Sequence, residues 1–482
     1  MQLRAPPVRE AGGALAGPVV PMAIVHELAE FVVERSFDDL SEAAVRELKV
    51  RVLDSIGCGI GALDGEPVQM LGVHLADFGG SPRTTLIAGG RTAPDRAAFY
   101  NGALVRYLDF NDSYLAKGET CHPSDNLGAV LAGAEYAKRK GSDLLVALAA
   151  AYQVQCRLSD EAPVRAKGFD HTTQGSYAVA AGVSKALGLD ASRTANAVAI
   201  AGTAFNALRV TRTGRLSHWK GLAYPNAGFG GTHAAFLAMR GITGPEEVFE
   251  GNKGFMDAIA GRFHIDWRRE DLERVTHTIL KKYNAEIHSQ SATEGILELQ
   301  REDGFRPEDI ERIEIETFDV AYHIIGGGEE GSKMDVKTKE EADHSLPYIV
   351  SVALLDGTVM PDQYRQERIL REDVQTLLRK VVVRPNEGYS RRFPQEMPCR
   401  IVVHLRGGRV VEKEKRDYEG FHTRPMPWEA VTRKFDTLSA PYTGIALRKE
   451  IVAAVRSLED RTVADLVKLL ARVGKTNRRS KR

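Results

Sequence analysis

Residues 310–318 read IERIEIETF, a stretch in which apolar and charged residues alternate. A period of two predicts a half-buried β-strand, whereas residues 22–261 repeat their apolar positions with the period of a helix. Two more strand candidates follow, the run Val381–Val383 and the stretch RIVVHLRGGRVV at 400–411, whose paired glycines indicate a hairpin turn. Helical texture returns from Pro427. The chain is therefore predicted to enter and leave a sheet within a mostly helical fold.

This pattern predicts a mainly α fold with an inserted α+β domain, that is, a large all-helical domain plus a smaller α/β domain. The predicted boundaries are a flexible extension at 1–21, helical parts at 22–275 and 416–474, the α/β domain at 276–415 and a basic tail at 475–482. The extension is rich in proline and glycine and lacks the apolar core of a secretory signal. Met22 is accordingly an alternative start.

Two helix starts can be located from local chemistry. Ser41 precedes apolar residues at helical spacing (Leu48, Val52 and Ile56), so it is a predicted N-cap. Pro94 fits the first turn of another helix, where its missing N–H costs nothing. Later segments, such as DLLVALAAAYQVQCRL, are dense in alanine and glycine, which predicts closely packed, buried helices.

The composition excludes several classes of protein. Lys+Arg and Asp+Glu number 65 each among 482 residues, so net charge offers no attraction to nucleic acid or anionic membranes. The apolar run Leu144–Val154 is far shorter than the roughly 20 residues of a membrane span. The four cysteines form no C-x-x-C pair, which argues against zinc or iron–sulfur sites. We therefore expect a soluble, cytoplasmic protein without metal or other cofactor.

The strongest compositional anomaly is a long basic segment. Residues 191–245 contain no Asp or Glu, yet the loop RVTRTGRLSHWK includes Arg209, Arg212 and Lys220. Arginine forks match carboxylates with two hydrogen bonds, and the lack of nearby acids would leave them available. The loop is interpreted as a polycarboxylate site, or as a basic surface loop that pairs with acids elsewhere in the fold.

The stretch RYLDFNDSYLAKGETCHPSDNLG, residues 106–128, is the first candidate for chemistry. Asp109 and Asp112 are one helical turn apart and could face one side of a helix end. His122 could transfer a proton near neutral pH, and Ser124 or the following aspartate could cap a helix whose N–H groups bind an anion. Alternatively, the aspartates only cap or hold Mg²⁺, and the histidine is part of a turn.

Three further motifs place polar residues in similar loops. His171 lies in FDHTTQGS, Lys281 and His288 lie in KKYNAEIHSQSA, and His344 lies in EEADHSLP. Each histidine alone is more often structural than catalytic, but repeated loops that pair histidine with Ser, Thr or Lys favour a shared site. H-E-x-x-H, G-x-G-x-x-G, phosphate-loop and G-x-S-x-G motifs are missing from the sequence.

Together these motifs resemble the MmgE/PrpD family from about residue 22 to 473. The resemblance rests on the order of YLDFND, CHPSDNLG, FDHTTQGS, SHWKGLAYPNAGFGGTHAAFLA, KKYNAEIHSQSA, DHSLPYIVS and EGFHTRPM. It implies a helical domain with a smaller lid domain, a homodimer, a site between the domains, and chemistry without a metal. Carried over by motif, the active-site positions are Asp109, Ser113, His122, His171, Lys220, Lys281 and Tyr322. Glu286 stands where decarboxylases of the family have histidine, so that role is not transferred.

The resemblance further implies removal of water from 2-methylcitrate to give 2-methyl-cis-aconitate in the methylcitrate cycle of propionate breakdown, with citrate as an alternative substrate. HPSDNLG and AEIHSQSA are similar to the dehydratases, whereas decarboxylases carry a shorter HPSG. The alternatives are a cis-aconitate decarboxylase or a related lyase or epimerase, and a non-catalytic polycarboxylate-binding protein.

Chemical roles follow from what this elimination requires. We predict His122 and His171 as base and acid, with Asp109 orienting one of them and with Lys220 and Lys281 in the same catalytic group. The predicted substrate contacts are Arg209, Arg212, Ser113, Ser124, His288, Tyr322 and His344, with helix N–H groups after Ser124 and Ser176.

Overall fold

A computed structural model of the chain describes residues 22–214, 216–329 and 331–474. The predicted extension at 1–21 and tail at 475–482 lie outside the described residues. Helices predominate in the part that the structure describes, and one mixed four-stranded sheet accompanies them. The expectation of a mainly α fold is confirmed.

The first part of the chain packs long helices against one another. They are α1 (Ile24–Glu34), α2 (Glu42–Gly61), α3 (Glu66–Phe78), α4 (Pro94–Tyr107), α5 (Leu127–Tyr136), α6 (Gly141–Glu161), α7 (Thr172–Leu187), α8 (Ala191–Ala204) and α9 (Trp219–Met239). Both predicted starts are confirmed: the Ser41 hydroxyl accepts from the Ala44 N–H at 3.0 Å, and α4 begins at Pro94. Small residues permit close packing, since a Cβ on Gly128 would lie 2.5 Å from the backbone nitrogen of Gly102.

The middle of the chain contains the sheet and shorter helices. The strands are β5 (Ile310–Thr317), β6 (Val381–Pro385), β7 (Cys399–Leu405) and β8 (Val410–Lys415), in the order β6-β5-β7-β8. The helices are α10 (Gln290–Asp303), α11 (Asp319–Ala321), α12 (Lys339–Ala342), α13 (Leu346–Asp356), α14 (Gln366–Ile369), α15 (Glu372–Leu378) and α16 (Glu387–Arg392). Strand β5 pairs in parallel with β6 and antiparallel with β7. The strands at 310–317 and 381–385 and the 399–415 hairpin confirm the sequence predictions, and Gly407 and Gly408 both have positive φ in the hairpin turn.

The chain then returns to helices α17 (Trp428–Ser439), α18 (Ile445–Arg456) and α19 (Val463–Leu470). These share one hydrophobic cluster with α1–α9, whereas a second cluster covers residues 279–421. Helix α17 packs closely on α2, because a Cβ on Gly57 would lie 3.2 Å from the Phe435 Cα. The Lys434 ammonium donates to the carbonyls of Phe110 and Lys281 at 2.7 and 3.0 Å. The last helices thereby hold the backbone on which the site is built.

Two small hairpins were not expected from the helical texture. Strands β1 (Thr84–Thr85) and β2 (Arg91–Thr92) pair, as do β3 (Tyr114–Ala116) and β4 (Glu119–Cys121). The second hairpin lies between α4 and α5, inside the stretch that the sequence marks as a candidate site. It is too short to show a strand period of its own.

Candidate active site

A cavity of about 540 Å³, which includes space open to solvent, is lined by residues from the helical part of the chain and from the part that contains the four-stranded sheet. Its lining residues are Arg106, Asp109, Glu119, Thr120, His122, Arg165, His171, Arg209, Arg212, Lys220, Lys281, Glu286, His288, Ile324 and His344. Apart from Thr120 and Ile324, each is a histidine or carries an acidic or basic side chain. Arginines and lysines outnumber the carboxylates, so the cavity suits a ligand with several negative charges.

Asp109 is the centre of a buried charge cluster at the end of α4. Its φ of +53° lies in the left-handed region, so the chain turns sharply after the helix. Its Oδ1 accepts from Arg106 Nη1 and from Lys281 Nζ, both at 2.6 Å, and Lys281 Nζ also reaches the Asp109 carbonyl at 2.6 Å. Burial would raise the pKa of Asp109, but Arg106, Lys281 and Lys220 hold it well below its usual value. The carboxylate is therefore ionised.

Lys220 lies beside this cluster and links it to the second half of the chain. Its Nζ is 3.0 Å from Asp343 Oδ1, 2.9 Å from His344 Nδ1 and 3.8 Å from Asp109 Oδ2. Burial lowers the pKa of Lys220, and it lowers the pKa of His344 together with the nearby lysine charge. Lys339 Nζ holds the other Asp343 oxygen at 2.7 Å. Opposite charges thus alternate from Asp109 through Lys220 and Asp343 to Lys339.

His122 is oriented by the backbone just before it. Its Nδ1 lies 2.8 Å from the Asp112 carbonyl and 3.1 Å from the Ser113 hydroxyl. A carbonyl can only accept, so Nδ1 carries the hydrogen and Nε2 keeps a lone pair. Burial and the positive charges of Arg106 and Lys281 hold the pKa of His122 well below its usual value. The ring is neutral and can act as a base at Nε2.

His171 has a different environment on the same wall. Arg212 binds the buried Asp170 carboxylate through Nε at 2.6 Å and Nη2 at 3.3 Å, and the same Nη2 donates to His171 Nε2 at 3.0 Å. Burial lowers the pKa of His171 to about 3, and Arg212 adds to this effect although Asp170 opposes it. The Nε2 lone pair of His171 already accepts the hydrogen bond from Arg212. The alternative that the basic loop pairs with acids elsewhere in the fold holds for Arg212.

The expectation that Asp109 and Asp112 share one side of a helix end is wrong, because α4 has already ended at that point. Asp112 turns inward, where its two oxygens accept from the Ser124 N–H at 3.0 Å and from the Tyr152 hydroxyl at 2.9 Å. The Ser124 hydroxyl accepts from the Asn111 amide at 2.8 Å and caps no helix. The Ser124 N–H is thus unavailable to an anion.

Some predicted substrate contacts lie outside the cavity lining of the described residues. Ser113 and Ser124 form the bonds above, behind His122. Tyr322 begins a helical turn whose Ile324, rather than the tyrosine, lines the cavity. Ser176 lies inside α7, which already begins at Thr172, and its hydroxyl donates to the Thr173 carbonyl. The predicted N–H contribution after Ser176 is therefore wrong.

Sequence reasoning missed Glu119, which lines the cavity from β4. Its Oε2 accepts from the N–H groups of Val164 and Arg165 at 3.2 and 3.0 Å. Burial and then the nearby Asp170 charge raise the pKa of Glu119 to about 7, so the carboxyl titrates near neutral pH. The short hairpin that positions Glu119 is not visible as a periodic pattern in the sequence. The only sequence signal for this residue is its place in the stretch 106–128.

Within the described residues, Asp109, Asp343 and His344 place possible metal-ligand atoms within 4.8 Å of one another. Both carboxylates, however, already pair with cationic side chains, Asp109 with Lys281 and Asp343 with Lys220 and Lys339. A divalent cation at this point would meet these positive charges at close range. The donor set therefore does not fit a metal site.

Sequence comparisons identify the family of this chain. Residues 26–268 match the MmgE/PrpD N-terminal domain, and residues 283–460 match the MmgE/PrpD C-terminal domain. The chain belongs to the MmgE/PrpD family. The resemblance expected from the ordered motifs is confirmed, and the cavity of this MmgE/PrpD protein is lined by residues from both matched regions.

Individual relatives of this family are similar along most of their length. The chain is 27% identical over 419 residues to the mitochondrial 2-methylcitrate dehydratase of Yarrowia lipolytica, and the match covers 82% of this chain and 79% of the relative. It is 29% identical over 355 residues to the 2-methylcitrate dehydratase of Escherichia coli K12, covering 68% and 71%. It is 26% identical over 447 residues to the cis-aconitate decarboxylase of Mus musculus, covering 87% and 88%.

The helices of this MmgE/PrpD chain are those of a densely packed core. Across residues 22–214, 216–329 and 331–474, none is both long and apolar enough to cross a membrane. All four cysteines are buried and free.

Proposed function

We propose that the protein is a 2-methylcitrate dehydratase, which removes water from 2-methylcitrate to give 2-methyl-cis-aconitate in propionate breakdown, with citrate as an alternative substrate that would give cis-aconitate. The observation that carries this proposal is the buried, cation-rich cavity that contains a neutral histidine with a free Nε2 lone pair. The similarity to dehydratases of yeast and bacteria supports the same substrate class. The arginines and lysines of the lining would bind the carboxylates of such a substrate.

The elimination needs a base near a C–H that adjoins a carboxylate. We assign this role to His122, because its Nδ1–H is fixed by the Asp112 carbonyl and its Nε2 can accept a proton. Substrate carboxylates would bind Arg209, Arg212 and Lys220. Fixed positive charge stabilises the negative charge that develops when the proton leaves.

Asp109 and Lys281 would support the same reaction by holding their opposite charges in fixed positions in the cavity wall, because both are buried and the Lys281 ammonium donates to the Asp109 carboxylate. We now assign His171 a positioning role instead of proton transfer, because its Nε2 already accepts from Arg212. No step of the proposed reaction passes through a metal or other cofactor, in keeping with the lysine-paired carboxylates.

We further propose the division into domains. The helical domain would comprise 22–275 and 416–474, and the α+β domain at 276–415 would act as a lid on the cavity. The separate hydrophobic clusters and the lining residues from both parts support this division. A homodimer and a cytoplasmic location complete the proposal, and free buried cysteines suit a reducing compartment.

The test is direct. Purified, chelator-treated protein is incubated with 2-methylcitrate and with citrate, and the ultraviolet absorbance of the conjugated product is followed. Absorbance that rises despite the chelator supports a metal-independent dehydratase, and the ratio of the two rates gives the selectivity. Flat traces with both acids would refute the proposal.

A second candidate is a cis-aconitate decarboxylase, favoured by the length of the match to the mouse enzyme. Itaconate formed from cis-aconitate, measured by mass spectrometry in the same preparation, would identify it.

A further inference from the structure

His288 and Glu286 form a close pair in the cavity wall, in the turn that precedes α10. His288 Nδ1 lies 2.7 Å from Glu286 Oε1, and the other carboxylate oxygen accepts from the His288 backbone N–H at 2.7 Å. Both contacts come from the same carboxylate, so the ring and its backbone are fixed together. A carboxylate accepts only, which places a hydrogen on Nδ1.

The opposite edge of the ring has no protein partner. His288 is 3% exposed, and its Nε2 is buried without a hydrogen-bond partner among the described residues. The Phe318 and Phe393 rings pack at centroid distances of 5.6 and 5.7 Å, so the imidazole cannot turn freely. Buried polar atoms normally have partners, and this one belongs to a residue that lines the cavity. The geometry points to a ligand group that completes the bond.

The charges around His122 and His288 differ in sign. His122 has Arg106 and Lys281 nearby and a neutral carbonyl at Nδ1, so its ring remains neutral. His288 instead has the carboxylate of Glu286 beside its Nδ1, at 2.7 Å. Burial would raise the pKa of Glu286, but the adjacent His288 lowers it overall. An elimination needs a base and an acid, and these two histidines offer different contacts for the two roles.

We propose that His288 is the general acid of the reaction and that Glu286 is its positioning residue. The inference rests on the proposed dehydratase function. His122 Nε2 takes the proton from the carbon beside a carboxylate, and the C–H electron pair forms the new C=C bond. The C–O bond breaks with its electrons on oxygen, and the proton on His288 Nε2 converts the departing hydroxide to water. His122 ends protonated and His288 neutral, and proton exchange with solvent restores both.

The decisive variant is His288→Asn, because the asparagine amide can replace Nδ1–H toward Glu286 but has no counterpart of Nε2. With 2-methylcitrate, kcat should fall about 10²–10⁴-fold, the usual effect of losing a general acid. The second substrate is an analogue with chlorine in place of the departing hydroxyl. Chloride leaves without a proton, so H288N should eliminate it within about threefold of the wild-type rate, whereas His122→Asn should lose both reactions.

Glu286 is tested by a readout that a merely structural role would not change. Glu286→Gln should lower kcat with little change in KM, and the alkaline limb of its pH–rate profile should move to lower pH. The reason is that the amide of the variant carries no negative charge beside the ring. Glu286→Asp should partly restore the wild-type profile. An unchanged profile in E286Q would overturn the positioning role.

Matched controls make the remaining outcomes decisive. His404→Asn alters a half-exposed histidine of β7 in the same part of the chain and should leave both reactions unchanged. Glu119→Gln tests the rival acid, and loss of dehydration with retained chloride elimination in E119Q, but not in H288N, would overturn the proposal. Equal loss of both reactions in a folded H288N would also overturn it. Wild-type protein inactive on 2-methylcitrate and citrate would instead refute the proposed function.

Discussion

Replacing Lys281 with methionine should measurably destabilise the protein, because the buried Asp109 carboxylate loses one of its cationic partners. The lysine is 1% exposed and makes two 2.6 Å hydrogen bonds to Asp109, one to the side chain and one to the carbonyl. Removing one partner of a buried ion pair costs about 3–5 kcal/mol because the other charge is left uncompensated. Arg106 remains 2.6 Å from the same oxygen, so we expect the lower end, about 3 kcal/mol. Methionine fills a similar volume and adds little cavity cost.

The assay is urea unfolding at pH 7.5, followed by circular dichroism, with a thermal melt beside it. An unfolding entropy of about 2 cal/mol/K per residue converts 3 kcal/mol into a Tm decrease of about 3 °C for a 482-residue chain that unfolds as one unit. The pKa of Asp109 is lower in the folded protein than in the unfolded chain. Its ion pairs therefore stabilise the fold above about pH 4, and this contribution is lost as the pH falls further.

The double variant D109N/K281M separates the ion pair from packing. A neutral amide leaves no buried charge, so the double variant should be less destabilised than the sum of the single variants, with a coupling of about 2 kcal/mol. Two results would refute the reasoning. One is K281M unfolding within about 0.5 kcal/mol of wild type. The other is strict additivity of the two substitutions.

Three other predictions concern the cavity. His122→Asn should lower kcat by about 10²–10⁴-fold without altering the melting curve, and full activity in steady-state assays would contradict the base assignment. Asp170→Asn should raise KM for 2-methylcitrate about 10–100-fold, because Arg212 loses charge-assisted bonds worth about 1.5–3 kcal/mol; an unchanged KM would show that the arginine needs no such support. The pKa of Glu119 is raised to about 7, so wild-type stability should decline as the pH rises from about 4.5 through 7. Glu119→Gln should lose this part of the decline in melts at pH 5 and 8, and the same slope as wild type would contradict it.

The elements with a clear local period could be predicted from the sequence. Local patterns of a few residues were sufficient to predict the strand within 310–318 and the turn at the paired glycines 407–408. The same holds for the helix starts at Ser41 and Pro94. The short hairpin at 114–121 could not, because pairs of three-residue strands are fixed by their neighbours and not by a period. Local propensity is decisive only where tertiary packing does not override it.

The site shows the same limit. Motif loops brought His122, His171, His288 and His344 to the cavity as candidates, yet their chemical states depend on partners far away in sequence. Arg212 pairs with Asp170, 42 positions earlier, and its hydrogen bond to His171 Nε2 changes the role available to that histidine. Spacing also failed for Asp112, because the left-handed turn before it breaks the helical register. The sequence motifs identify candidate site residues, whereas the charged partners in the folded protein determine their protonation states.

The order of the helices along the chain also determines when native contacts can form during synthesis. Helix α2 is made early, but the surface around Gly57 is covered by α17, and the backbone of Phe110 and Lys281 is held by Lys434. Ribosomes add about 5–20 residues each second, so the roughly 380 residues between α2 and Lys434 take about 20–75 s to emerge. During that interval the surface of α2 around Gly57 lacks the cover of α17, and the carbonyls of Phe110 and Lys281 lack the Lys434 ammonium. A nascent chain therefore presents a substrate for chaperones until nearly its last helix is released.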